Sequence, residues 1–401
     1  MPDIQQTGIL LLLKSALTNE KCKLSENFDF SKGIKTAKKH NVSAMLYYGA
    51  VISEVSCNTN ALQELFNITA LSMSVSENQT FELERIFSAF EEKGIDYLPI
   101  KGTVLKKLYP KPEMRVMGDA DILINPEQYD VICSTMASLG FEKGTESDHE
   151  IKWHSHSLYL ELHNRIISPK SRDYFEYWKN PWEKAIKVSG HRYKFSDEDD
   201  FIYILTHLAI HYRAGGIGIK HFTDIFVYLR SKPELDFEYI ERELKKIRLY
   251  DFFCNIKKLL SVWFGEEPGD AVTDYMTEYI FSSGCFGTYE RNALASAVKS
   301  KQKLGSSKKA RIREIKNVIF LPYKGMCAKY PILEKMPFLL PFMWNIRIFT
   351  VLLFKRKRLE ALDVRINTVT EKNIDDYHLS LRMVGLDFNF KETSYEKSRE
   401  K

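Results

Sequence analysis

The stretch Met114-Arg115-Val116-Met117-Gly118-Asp119-Ala120-Asp121-Ile122-Leu123-Ile124 constrains this chain more than any other. It reads as a β-strand. Side chains alternate faces along a strand, so Asp119 and Asp121 share one face with Arg115, Met117 and Leu123. Val116, Gly118, Ala120, Ile122 and Ile124 form the other face, small and apolar, which suits a core. Neighbouring carboxylates repel unless something positive lies between them. A divalent cation meets that need, and oxygen-only ligands select Mg2+ or Mn2+ over zinc. A D-x-D pair alone also occurs at solvated turns and strand edges, so its flanks must decide.

Upstream, Ile95–Ile100 is a short apolar strand, followed by Lys101-Gly102-Thr103 and a helical turn or two from Val104 to Tyr109. A strand, a glycine turn and a helix leave backbone N–H groups free where a phosphate can bind. Lys101 and Thr103 would add a charge and a hydroxyl; a plain turn is the simpler reading. Downstream, Leu158, Leu160 and Leu162 form one face of a strand, and Tyr159, Glu161 and His163 the other. Beside the Asp119 strand, Glu161 would bring a third carboxylate to the pair. Elsewhere, Glu161 and His163 would merely solvate an exposed face.

The chain of 401 residues has room for two domains, or one with a large helical extension. Its net charge of +5 is too mild to argue for stable DNA binding. The six cysteines are widely spaced and form no C-x-x-C pair, which excludes a zinc ribbon or a dithiol redox motif. With no signal peptide at the start, the expected location is the cytoplasm. Met336–Phe354 is strongly apolar and runs into Lys355-Arg356-Lys357-Arg358, but it contains Pro337, Pro341, Asn345 and Arg347. A packed helix is the preferred reading, with peripheral contact of a surface-lying membrane helix as the alternative.

Helical periodicity predicts four regions: an N-terminal helical region 1–93, an α+β core 94–195, a C-terminal helical region 196–390 and a disordered tail 391–401. Ser31–Val51 reads as one helix, Gln302–Lys309 as an exposed linker and Arg356–Glu371 as an amphipathic helix. His207 and His211 share a helix face, but the intervening Leu-Ala-Ile lacks the glutamate of a zinc-protease helix, so packing is preferred. Gly215-Gly216-Ile217-Gly218 is a flexible turn, not a dinucleotide fingerprint, because no strand leads into it. Lys220 and Asp224 open the next helix, where Asp224 reads as an acid favoured at a helix N-terminus.

Leu98-Pro99-Ile100-Lys101-Gly102, Arg115 through Ile124 and Leu160-Glu161-Leu162-His163 together resemble the uncharacterised bacterial nucleotidyltransferase family of the polymerase-β-like superfamily. The resemblance is tightest over residues 95–165. It implies an α+β fold, a small mixed β-sheet core with extensive helical parts on either side in sequence. It implies transfer of a nucleoside monophosphate from an NTP, with loss of pyrophosphate, to an acceptor that is a small molecule, a protein or an RNA end. On this resemblance Asp119, Asp121 and Glu161 would hold two Mg2+ or Mn2+ ions and act catalytically. Lys101, Gly102, Thr103, Arg115 and Gly118 would bind the nucleotide, and Lys220 and Asp224, which resemble a recurring feature of the family's helical part, would contact nucleotide or acceptor. The superfamily turn is usually Gly-Ser or Gly-Gly, and Lys-Gly-Thr is a variant of it. Arg115 has a second reading, an ion pair steadying Asp119.

Two other classes compete. A D-x-D glycosyltransferase would use the acid pair to hold a nucleotide sugar, but some ninety helical residues precede the first strand here. A silent binding module would keep three acids together at a cost in stability for no return.

Overall fold

Residues 3–55, 59–327, 329–354 and 366–388 are described by a computed structural model. The chain divides into two compact units, one of residues 1–210 and 217–285 and the other of 211–216 and 286–390. The candidate site lies wholly in the first. The expected amphipathic helix at Arg356–Glu371 falls largely outside the described residues, and the expected tail at 391–401 wholly so.

The first unit opens with α1 (Ile4–Thr18), α2 (Phe30–His40), α3 (Ser43–Ile52) and the 35-residue α4 (Thr59–Lys93). Asp3 caps α1 in a reciprocal box with Gln6, and the Asp29 carboxylate accepts from the amides of Ser31 and Lys32 to start α2. The single helix expected over Ser31–Val51 is two helices. Asn41 adopts a left-handed conformation, φ +56°, which ends α2 and redirects the chain. In α4 the buried positions Leu65, Thr69, Ser76, Gln79, Leu83, Ile86 and Phe90 recur at three, four and seven residues, one stripe of a long helix.

The sheet runs in the order β3-β4-β5-β2-β1-β7-β6 among the described residues. Its strands are β1 (Tyr97–Ile100), β2 (Ala120–Ile124), β3 (Glu142–Glu146), β4 (Glu150–His154), β5 (Tyr159–His163), β6 (Ile186–Ser189) and β7 (Arg192–Lys194). β2 sits between antiparallel β1 and parallel β5. Its Ala120, Ile122 and Ile124 join Leu160 and Leu162 of β5 in a core closed by Leu83, Ile86 and Phe90 of α4. Ile132 and Met136 of α6 (Tyr129–Ser138) complete it. The opposite face of β2 presents Asp121 and Leu123, also buried.

The strand expected from Met114 begins only at Ala120. β1 is four residues long and its last residue, Ile100, pairs with Asp121, so nothing remains to pair residues 115–119. Side chains take that backbone instead: Gln79 Nε2 donates to the Met117 carbonyl at 2.9 Å and Lys220 Nζ to the Val116 carbonyl at 3.2 Å. The strand alternation therefore does not reach Arg115, and Asp119 is the last residue before the strand.

After the sheet, α8 (Asp197–Arg213), α9 (Ile219–Ser231), α10 (Phe237–Lys246), α11 (Tyr250–Phe264) and α12 (Ala271–Ser283) follow. Short helices α5 (Gly102–Leu105) and α7 (Arg172–Phe175) interrupt the strand region. The fold is thus α+β, a mixed sheet with helical parts before and after it.

The second unit is helical: α13 (Tyr289–Leu304), α14 (Ser307–Ile319), α15 (Tyr323–Cys327), α16 (Ile332–Lys335), α17 (Leu340–Phe354) and α18 (Glu371–Met383). The linker expected over Gln302–Lys309 is only Gly305 and Ser306. Gly305 takes φ +69° to end α13, and the Ser306 hydroxyl accepts from the Lys309 amide to start α14. No helix among the described residues is long and apolar enough to cross a membrane.

Candidate active site

Parallel pairing sets the central relationship. Asp121 of β2 lies opposite Glu161 of β5 in register, and Leu123 lies opposite His163. Period-two alternation puts Asp121, Glu161 and His163 on one side of the sheet. His163 Nε2 contacts Asp121 Oδ1 at 2.8 Å and stands 3.7 Å from Glu161 Oε2. A ligand atom from each of these three residues lies within 4.8 Å of the other two. The expected third acid therefore reaches the first strand, and a histidine read from sequence as a solvating residue is 3 % exposed at the centre of the group.

Lys101 closes the group from the turn. It sits at φ +51°, ψ −122°, a left-handed backbone at a cost of about 1–3 kcal/mol for a non-glycine residue. The turn returns the side chain toward the sheet, where Nζ donates to Asp121 Oδ1 at 2.7 Å. Burial alone would lift the Asp121 carboxyl, but Lys101 and His163 outweigh it and hold the group well below the usual carboxylate range. Burial would likewise discharge Lys101, and the charge on Asp121 overrides it. Glu161 behaves differently. Burial and the charges of Asp119, Asp121 and Glu150 raise its carboxyl, although Lys152 pairs with it. Glu150, gripped by His149, falls to about 2.

Asp119 is exposed at the lip of the sheet and stands outside the Asp121–Glu161–His163 group. Its charge is nonetheless felt by Glu161 and by Lys220. Gly118 is exposed, and a Cβ there would meet open space. Thr103 is buried with its hydroxyl 3.4 Å from the Asp121 carbonyl.

Arg115 is held by Asp224 of α9, not by Asp119. Nε to Oδ1 is 3.1 Å and Nη2 to Oδ2 3.0 Å, and the Tyr109 hydroxyl donates to the same carboxylate at 2.7 Å. Gly102 is required by this arrangement, because a Cβ there would lie 2.5 Å from Arg115 Nη1 and 3.1 Å from the Met117 side chain. Lys106 and Lys220 are buried near the same arginine. Burial is the main cause lowering both, Lys106 to about 8. Among the described residues His207 and His211 join no metal-capable group.

The family model for an uncharacterised nucleotidyltransferase matches residues 26–265, well over half of the chain and the whole of the site just described. The chain belongs to that nucleotidyltransferase family. No curated protein and no solved structure matches it. As a nucleotidyltransferase it is a transferase enzyme with an NTP as its substrate. Membership sets it apart from the nucleotide-sugar users and from the silent module weighed above.

Proposed function

We propose that this nucleotidyltransferase moves a nucleoside monophosphate from an NTP to a hydroxyl or phosphate acceptor in a reaction dependent on Mg2+ or Mn2+. The observation that carries the reading is the in-register neighbourhood of Asp121 and Glu161 beside Lys101. The residues fit a divalent ion on two counts. Asp121, Glu161 and His163 bring two carboxylates and an imidazole within one ion's reach. The Glu161 carboxyl is raised by burial and then by the charges of Asp119, Asp121 and Glu150, and a cation would relieve that crowding. The imidazole favours Mn2+ more than an all-oxygen set would. Asp119 is our candidate for completing a second ion site from the lip.

When bound, such an ion offsets triphosphate charge and makes the acceptor hydroxyl more acidic. In the transfer, an acceptor oxygen forms a bond to the α-phosphorus as the bond from that phosphorus to the oxygen bridging to the β-phosphate breaks, and pyrophosphate leaves. Glu161 takes the acceptor proton, a role suited to a carboxyl that burial and its acidic neighbours raise. Lys101 keeps Asp121 ionised and supplies a positive charge beside the developing charge on the leaving group. Arg115, paired with Asp224, and Lys220, bonded to the Val116 carbonyl, hold in place the loop carrying Gly118 and Asp119. The amides of Gly102 and Thr103, with Gly118, complete the proposed nucleotide contacts.

The test is incubation of the full chain with Mg2+ or Mn2+ and each NTP labelled at the α-phosphate. Total RNA, the protein itself and pooled small metabolites serve as acceptors. Metal-dependent label transfer with pyrophosphate release is the expected result, lost on the order of 10³-fold in Asp121→Asn. Absence of both NTP turnover and metal-dependent NTP binding would overturn the reading.

A further inference from the structure

The second unit carries a feature that nucleotidyl transfer does not use. Helix α17 buries one face against the turn-rich segment before it. Leu340, Met343 and Trp344 pack with Leu321 and Leu339 around buried Met326 and Leu333. The Trp344 indole donates to the Leu321 carbonyl at 2.9 Å, and Arg347 donates to the Ile319 carbonyl at 2.8 Å. The face on the other side is apolar too. Phe342, Ile346 and Phe349 recur at helical spacing and are 62 %, 37 % and 64 % exposed, with Phe338 just before the helix at 72 %. A helix that buries one apolar stripe and exposes a second has a partner outside its own unit.

Charge identifies that partner's chemistry. Between Arg291 and Arg358 the sequence holds seventeen Lys and Arg against two acids, a net +15, while the rest of the chain carries −10. One of those acids, Glu314, is turned inward, accepting from the hydroxyls of Ser296 and Ser300. Lys308, Lys309, Arg313 and Lys316 on α14 are exposed. The residues following α17 in sequence are Lys355-Arg356-Lys357-Arg358. A second copy of the chain would set +15 against +15, which opposes self-association through this surface. A nucleic acid would satisfy the charge but leave the phenylalanine stripe in water. An anionic lipid surface satisfies both, taking the aromatic face at the acyl boundary and the lysines and arginines at the headgroups.

We infer that the face of Phe338, Phe342, Ile346 and Phe349 docks this enzyme on anionic membranes as an in-plane helix.

The experiment is vesicle co-sedimentation of the full chain with pure phosphatidylcholine and with phosphatidylcholine containing phosphatidylglycerol, at low and high salt. Binding to the anionic vesicles alone, weakened by salt, is expected. The triple variant Phe338→Ser/Phe342→Ser/Phe349→Ser should lose on the order of tenfold in partitioning, and K355Q/R356Q/K357Q/R358Q a similar amount. Phe81→Ser, equally exposed on α4 at 61 %, serves as the control and should bind as the parent does. All four proteins are compared by circular dichroism. Equal binding to neutral vesicles, binding unchanged in the triple variant, or no binding at low salt would each overturn the inference. So would RNA binding in place of vesicle binding, or a dimer dissolved by the triple variant in place of vesicle binding.

Discussion

Arg115 and Asp224 lie 109 residues apart in the chain and meet in a two-point ion pair in which neither side chain is more than 7 % exposed. The pair ties the irregular loop before β2 to α9, and Tyr109 joins it through a 2.7 Å hydrogen bond. Asp224→Ala leaves the arginine buried without its counter-charge. Loss of about 3–5 kcal/mol is expected in urea denaturation. The double variant Arg115→Met/Asp224→Leu should recover much of it, and if it recovers none, the pair is not the source of the loss.

The turn at Lys101 permits a test of its own strain. Lys101→Ala removes the ion pair to Asp121 and keeps a Cβ on a left-handed backbone. Lys101→Gly removes the same pair and relieves the backbone. The glycine variant should therefore be more stable than the alanine variant by about 1 kcal/mol, although both fall below the parent. The reverse order in denaturant midpoints would rule out a positive φ here.

Gly102→Ala acts next door, through space. Its methyl would stand 2.5 Å from a guanidinium that Asp224 holds in place, so the arginine cannot move away without breaking its own pair. A loss of about 1–3 kcal/mol is expected, together with weaker NTP binding. Restored stability in Gly102→Ala/Arg115→Lys would identify the clash as the cause.

Metal binding should follow the protonation of Glu161. Its carboxyl is raised by burial and by neighbouring acids, so protons compete for it at a pH where an ordinary glutamate is already ionised. Calorimetric titration with Mn2+ should show affinity falling as pH is lowered, with the fall beginning above the ordinary glutamate range. His163→Ala should weaken Mn2+ on the order of tenfold and Mg2+ less. Identical effects on both ions would remove the imidazole from the ligand set.

Asp200, outside the proposed ligand set, offers a probe of stability. Burial lifts Asp200 from its ordinary 3.8 to about 7. Between those values the unfolded chain has released its proton and the folded chain retains it, so stability falls as pH rises through this window. Above 7 the folded carboxylate is charged and buried, and the penalty is complete. Asp200→Asn should match the parent near pH 4 and exceed it at pH 8, by up to roughly 4 kcal/mol. Urea denaturation at the two pH values measures this, and an equal difference at both would refute it.

The facing acids were legible in the sequence because alternation on a strand is a local rule, and Asp121 and Glu161 each carry an apolar neighbour on either side to mark the core face. His163 was visible by the same parity but lacked a distinguishing signal, since its burial depends on Lys101 and Asp121 arriving from elsewhere. The extent of the strand misled at Arg115–Asp119: nothing local announces that β1 is too short to pair with that segment. Arg115 finding Asp224 is a long-range event with no periodic signature, as is the burial of Lys220 and of Lys106, the latter an ordinary surface charge by its sequence. The break between α2 and α3 rests on a single asparagine taking a conformation that asparagine tolerates but does not require. The abrupt turn at Gly305-Ser306 looks like a longer linker in the sequence because lysines and serines are shared by exposed helices and loops.

The parallel bond between β2 and β5 has an evolutionary corollary. Of the residues between the two strands, Lys152 pairs with Glu161 and Glu150 raises its carboxyl, so changes of length are confined to the turns that carry neither. A slip of a single residue in the pairing is another matter. It would turn Leu160 or Leu162 toward Asp121 and send Glu161 into the hydrocarbon interior, silencing the enzyme while every strand remained.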